Sequence, residues 1–238
     1  MYSRRKFGLA CPGWRPARDL VLMADSSTDN PSVPEQVRRA AEGDRQAWAD
    51  LLNAHRPRLR RMVALRLDRR LQGRLDPSDV IQEAYLDATA GLAEYAARAE
   101  MPFFLWLRWL TGMRLTTLHR KHLGCQVRDA AREVSLERGA MPEATSAVLA
   151  AQLLGRDTRP SVAAIRAERQ RRLQEALNAT DPVDREVLVL RHFEELTNAE
   201  VARELGLQES AASKRYIRAL RKLKEILVAL PGGIEGFR

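Results

Sequence analysis

Cysteine is nearly absent from this chain of 238 residues. Cys11 and Cys125 are too few for a disulfide scaffold or an all-cysteine metal cluster. Aromatics amount to 5% and β-branched runs are scarce, which argues against a sandwich or barrel. No apolar stretch approaches the ~20 residues that a membrane span needs, so no membrane insertion is expected. The phosphate-cradling patterns GxxxxGK(S/T) and GxGxxG do not occur, nor does the GxSxG of a nucleophile elbow. His55, His119, His122 and His192 form no ligand set with the two cysteines, and His119 and His122 read as a basic helix end. The expectation is therefore no metal, no cofactor and no catalytic residue: not an enzyme.

What is abundant is Ala, Leu, Arg and Glu, the composition of helices. The fold class expected is all-α. Forty Lys and Arg against 31 Asp and Glu leave a formal charge of +9, which points to polyanionic partners.

Ser3-Arg4-Arg5-Lys6-Phe7-Gly8-Leu9 resembles a twin-arginine export signal, but Pro12, Arg15, Pro16, Arg18 and Asp19 interrupt the apolar region such a signal requires. Residues 1–34 read instead as a disordered basic tail, with Met23 as good a start as Met1, and a cytoplasmic location follows. Helical periodicity runs from about Glu35, with Gly43-Asp44 as a break and N-cap. From Arg56 to Arg74 eight arginines meet one acid, Asp68, in what reads as a basic-faced helix running to Gly73. Asp76-Pro77-Ser78-Asp79 opens the next helix, with Asp76 as N-cap. An apolar helix from Phe103 to about Leu118 ends in His119-Arg120-Lys121-His122. Residues 35–123 thus form one helical domain. Residues 124–165 lose periodicity and read as a linker, with a short helix from Ala147 to Leu154 as an option inside it. Residues 166–230 form a second helical domain, and 231–238 a tail.

Three motifs carry chemistry. In the second domain, Ala202 is the small residue where two helices cross and Gly206 the turn residue four positions on, the spacing of a helix-turn-helix. The following helix has six basic residues from Lys214 to Lys224 and no acid from Ser210 to Lys224. Ser210, Ser213, Lys214 and Arg215 are candidates to read base edges; Arg218, Arg221 and Lys222 are candidate phosphate contacts. Asp79, Gln82 and Glu83 share one helix face, opposite Val80, Ile81 and Ala84. Such a face caps a helix or, in a chain this basic, docks a basic partner. The third motif is Phe103-Phe104-Leu105-Trp106-Leu107-Arg108-Trp109-Leu110. Four large rings in seven positions are not expected all to point inward. Trp106 and Trp109, with Arg114, His119, Arg120 and Lys121, suit stacking on unpaired bases beside phosphates.

With these residues in view, the chain resembles the extracytoplasmic-function sigma factors of the bacterial sigma-70 family. Asp76 to Tyr85 resembles the region-two helix docked on the β′ coiled coil of RNA polymerase. This resemblance implies that Asp76, Asp79, Gln82 and Glu83 bind core polymerase. Phe103 to His122 is similar to the helix that melts and holds the −10 element, and Asp184 to Leu227 to region four, which reads the −35 element. The implied architecture is a region-two bundle and a region-four helix-turn-helix joined by a long linker. Implied partners are core RNA polymerase (β′ coiled coil and β flap) and promoter DNA, with an anti-sigma factor as a further candidate. The run Ser213-Lys214-Arg215-Tyr216, with Arg128-Asp129-Ala130 and Arg132 to Leu136, resembles the planctomycete-type sub-group. Gln208 and Ala212 depart from the usual cap and packing residues. The alternative is a stand-alone helix-turn-helix repressor working without polymerase.

Overall fold

The computed structural model describes residues 32–68, 70–71, 73–123, 141–142, 144–154 and 163–229. The basic tail up to residue 31, Cys125, the 128–136 motif and the tail from 231 lie outside them. The described residues are helical, without a strand.

The N-terminal half holds α1 (Val33–Ala41), α2 (Arg45–Arg66), α3 (Pro77–Arg98) and α4 (Phe103–Leu123). Asp44 caps α2 as expected, accepting from the backbone N–H groups of Gln46 and Ala47 at 3.0 Å. The basic helix expected to begin at Arg56 and run to Gly73 is instead the second half of α2, which passes through Pro57 and ends at Arg66. Tertiary packing makes this stop. Leu67 turns to an extended conformation so that Leu67 and Leu71 both enter the core. The freed Asp68 N–H then donates to Nε2 of His119 on α4, and the Asp68 carboxylate caps the Arg70 N–H. On α3, Asp76 accepts from the Ser78 N–H at 2.7 Å, and Val80, Ile81, Ala84 and Ala88 are buried against α2 and α4.

The C-terminal half holds α5 (Ser146–Leu153), α6 (Ala163–Asn178), α7 (Pro182–Leu188), a π-helical turn (Val189–Phe193), α8 (Asn198–Leu205) and α9 (Glu209–Ala229). α5 lies in the interval read as linker. Thr145 caps it, and Leu149 and Ala150 are fully buried with Leu173 and Leu177 of α6.

The two halves share their cores. Leu65 of α2 belongs with α5, α6 and Leu223 of α9, while Val187, Leu190, Leu196, Val201 and Ala202 belong with the core of α2–α4. A buried ion cluster joins them. Glu194, fully buried just after the π-turn, accepts from Arg66 Nε of α2 through Oε1 at 2.7 Å and from Arg108 Nε of α4 through Oε2 at 2.9 Å. Glu186 completes Arg66 and Glu204 completes Arg108. Arg66 also donates to the Pro142 carbonyl at 2.9 Å. At the rim, Arg58 pairs with Glu200, and Arg61 with Glu195.

Candidate nucleic-acid interface

The helix-turn-helix is built by local chemistry. Thr197 and Glu200 form a reciprocal capping box at the start of α8, with N–H to oxygen distances of 3.2 and 2.7 Å. Gly206 has φ +62° and closes α8, with the Leu207 N–H returning to the Ala202 carbonyl at 2.8 Å. Val201, Ala202 and Ala212 are buried where the two helices cross, and Asn198 Nδ2 donates to the Glu209 carbonyl, tying the two helix starts together. A Cβ at Gly206 would meet nothing within 4 Å, so only the backbone requires glycine there. Gly206→Ala is therefore expected to lower stability by about 1–2 kcal/mol without a steric clash, read by urea denaturation.

On α9, Ser210, Ser213, Lys214, Arg221 and Lys222 are exposed, as a DNA-reading face requires. Arg215 and Arg218 are differently placed. Both reach Asp184 of α7, which is buried: Arg215 Nη1 lies 2.7 Å and Arg218 Nη2 2.6 Å from its Oδ1. Burial pushes the Asp184 carboxyl up, but Arg218 and Arg215 outweigh it and hold it below its ordinary value. Arg215, expected to read base edges, is half-buried and directed at this carboxylate. Arg218 keeps an exposed rim. Asp184 looks in the sequence like an ordinary first-turn acid, and only the packing of α7 on α9 gives it this role.

The acidic face of α3 stands free of the core: Asp79, Gln82 and Glu83 are exposed and Asp76 caps the helix start. The sequence reading missed Leu86, which continues this face at i+3 and i+4 and is 72% exposed. The available signal was its spacing from Gln82 and Glu83. Arg114 of α4, expected at a DNA surface, makes a bidentate pair with Asp87 of α3 and lies 3.8 Å from Glu83.

α4 corrects the expectation about its rings. Phe103, Phe104 and Trp106 are all buried and Trp109 is partly so. Trp106, expected to stack on bases, is instead core: it is 3% exposed and stacks on Tyr95 with centroids 4.4 Å apart. All these rings can be inward because both faces of α4 are covered. Trp106 faces Tyr95 and Gly91 of α3, Phe104 meets His55 and Arg58 of α2, and Arg108 pairs with Glu194 and Glu204 of the C-terminal half. Arg58 lies 3.5 Å over the Phe104 ring, and His55 sits between Phe103 and Phe104, where burial and Arg58 lower its pKa. Arg120 and Lys121 are exposed at the end of α4, beside the His119 that accepts from Asp68. Among the described residues, no group of three or more His, Cys, Asp or Glu is placed to hold a metal ion, and no helix is long and apolar enough to cross a membrane.

Residues 176–225, which contain the helix-turn-helix, match the family described as Sigma-70, region 4. Over 193 residues the chain is 29% identical to the ECF RNA polymerase sigma factor SigD of Mycobacterium tuberculosis, covering 81% of this chain and 82% of that protein. These matches make the chain an RNA polymerase sigma factor, similar over most of its length to those of the ECF group. SigD of Mycobacterium bovis matches the sigma factor to the same extent. Among solved structures, CnrH in complex with the cytosolic domain of CnrY aligns with 83% of this chain and 99% of that one, at 22% identity and a TM-score of 0.48.

Proposed function

We propose that this sigma factor carries core RNA polymerase to two-part promoters, using three surfaces of one chain. The observation that carries the reading is the pairing, in one basic protein, of a free acidic face on α3 with a basic helix-turn-helix. Asp79, Gln82, Glu83 and Leu86 dock on the β′ coiled coil: the carboxylates meet a basic partner and the leucine supplies apolar burial at the centre. Asp76 fixes the start of that helix. Region four contacts the β flap and the −35 duplex, with Ser210, Ser213 and Lys214 reading base edges and Arg221, Lys222 and the rim of Arg218 on phosphates. Asp184 positions Arg215. Trp109, Arg120 and Lys121 hold the −10 strand, joined by Arg114 and His119 if those release their present partners. The chain itself catalyses nothing; it confers specificity on a cytoplasmic polymerase that performs the chemistry, and an anti-sigma protein is its natural antagonist. The run Ser213-Lys214-Arg215-Tyr216 supports membership of the planctomycete-type sub-group. A repressor acting alone would leave the acidic face of α3 and its exposed Leu86 without a role.

Lys214→Ala combined with Arg221→Ala tests the assignment of region four. Removing one base-edge and one phosphate contact is expected to lower promoter-dependent transcription at least about tenfold. Core binding, measured by pull-down, is expected to stay unchanged. An equal loss of core binding would show that α9 is not the DNA-reading surface.

A further inference from the structure

Between α2 and α5 lies an open cleft of about 450 Å³ that neither polymerase docking nor promoter reading uses. Its walls are Arg56, Arg60 and Arg61 of α2 and Gln152 of α5, over a floor of Pro57 and Ala64. Helical spacing brings Arg56 and Arg60 together at i and i+4, about 6 Å apart along the axis, and Arg61 reaches the same cleft from the flank. Apolar packing shapes the place: Leu65, next to Ala64, is buried in one core with Leu149 and Ala150 of α5.

The cations of this cleft are only partly used. Elsewhere on the helices arginines meet carboxylates: Arg38 has Glu35 and Glu42, Arg114 has Asp87, and Arg171 has Glu168 and Glu175. Arg56 and Arg60 make no ion pair or side-chain hydrogen bond among the described residues. The nearby acid is Asp76, whose carboxyl is held below its ordinary value first by its bonds to Ser78 and then by Arg60 and Arg56. That carboxylate is committed to capping α3. Arg61 gives Nη2 to the exposed Glu195, but its Nε is buried without an acceptor among the described residues. Like charges at i and i+4 repel, and a buried donor without a partner costs stability; an anion that draws the three guanidiniums onto itself relieves both.

We propose that this cleft is a binding site for a phosphate chain, either the triphosphate group of a nucleotide or free polyphosphate. Guanidinium forks match phosphate oxygens bidentately, and Gln152 adds an amide donor from α5. Three cations are more than a single phosphate engages and suit several phosphates joined end to end. No aromatic ring lines the cleft, so a base finds nothing to stack on and the phosphates carry the affinity. A nucleic-acid strand spreads its phosphates along an extended backbone, whereas this is a short concavity with two walls. The site stands on the cleft alone and goes beyond the sigma-factor reading.

The test is calorimetric titration of the full chain in about 0.15 M salt without divalent metal, with tripolyphosphate, ATP and inorganic phosphate as probes. Tripolyphosphate and ATP are expected to bind one-to-one with similar affinity, and inorganic phosphate at least about tenfold more weakly. Arg56→Gln with Arg60→Gln is expected to weaken tripolyphosphate at least about tenfold without lowering the melting temperature of the free protein. Gln152→Glu puts a carboxylate among the cations and is expected to weaken binding similarly while raising that melting temperature. Arg45→Gln with Arg203→Gln removes the same charge from exposed positions elsewhere and is expected to change the affinity less than about twofold. A tighter fit for ATP than for tripolyphosphate keeps the phosphate site and assigns it to a nucleotide. Equal weakening by the two double variants, more than one equivalent bound, or inorganic phosphate as good as tripolyphosphate would reveal general attraction to a basic chain and overturn the site. So would a short single-stranded DNA that needs Arg56 and Arg60 where tripolyphosphate does not bind, which would give the cleft to the DNA path. A chain that binds tripolyphosphate but never core polymerase keeps the cleft and removes the sigma reading instead.

Discussion

Reversing Asp79 and Glu83 together to lysine is expected to abolish stoichiometric binding of core RNA polymerase, weakening it at least about 100-fold, or ~3 kcal/mol. Both carboxylates are exposed and make no hydrogen bond among the described residues; Glu83 has a 3.8 Å approach to Arg114, which keeps Asp87. Helix content and melting temperature should therefore be unchanged while binding is lost. Leu86→Ala alone should cost less but in the same direction, because removing an exposed leucine leaves no cavity in the free protein. Retained polymerase affinity in the double variant would remove the docking surface from α3.

The second large effect is expected in stability. Glu194→Ala leaves the Arg66 and Arg108 guanidiniums buried and short of their shared anion, a loss of about 3–5 kcal/mol. Replacing the whole cluster (Arg66→Met, Glu194→Leu and Arg108→Met) should recover most of that, since no charge then remains to be desolvated. Urea midpoints of the single and triple variants check both statements. The pH dependence has a definite sign. Burial pushes the Glu194 carboxyl up, but Arg108 and Arg66 outweigh it and its pKa lies below the ordinary carboxylate value. Its stabilisation is thus fully present above the ordinary value of about 4.3 and is lost as pH falls through the lowered one.

Much of the fold was legible because it is local. Asp44 and Asp76 cap their helices through backbone bonds two or three residues away. Ala202 and Gly206 set the crossing and turn of the helix-turn-helix within five residues. The acidic stripe of α3 follows from helical periodicity alone. What was not legible depends on one half meeting the other. No sequence pattern announces that α2 stops at Arg66; burial of Leu67 and Leu71 and the bond from Asp68 to His119 do that. Periodicity alone offers α4 one inner face, whereas Trp106 is buried against Tyr95 and Gly91 of α3, and Arg108 pairs with Glu194 and Glu204 of the C-terminal half. Arg215 and Arg218 looked like free cations because Asp184 lies 31 and 34 residues away and comes beneath them only when α7 packs on α9. Nothing local distinguishes Glu194 from its neighbour Glu195, yet the chain buries the first and exposes the second after the π-turn.

The most direct measurement mixes the purified sigma factor with bacterial core RNA polymerase and follows it in two steps: a pull-down, then run-off transcription from a genomic promoter library. The account predicts a one-to-one complex and start sites that share a two-part upstream motif, with transcription lost in the Asp79→Lys/Glu83→Lys variant. Absence of a core complex, together with tight polymerase-free binding to duplex DNA, would contradict it and assign the protein to the repressors.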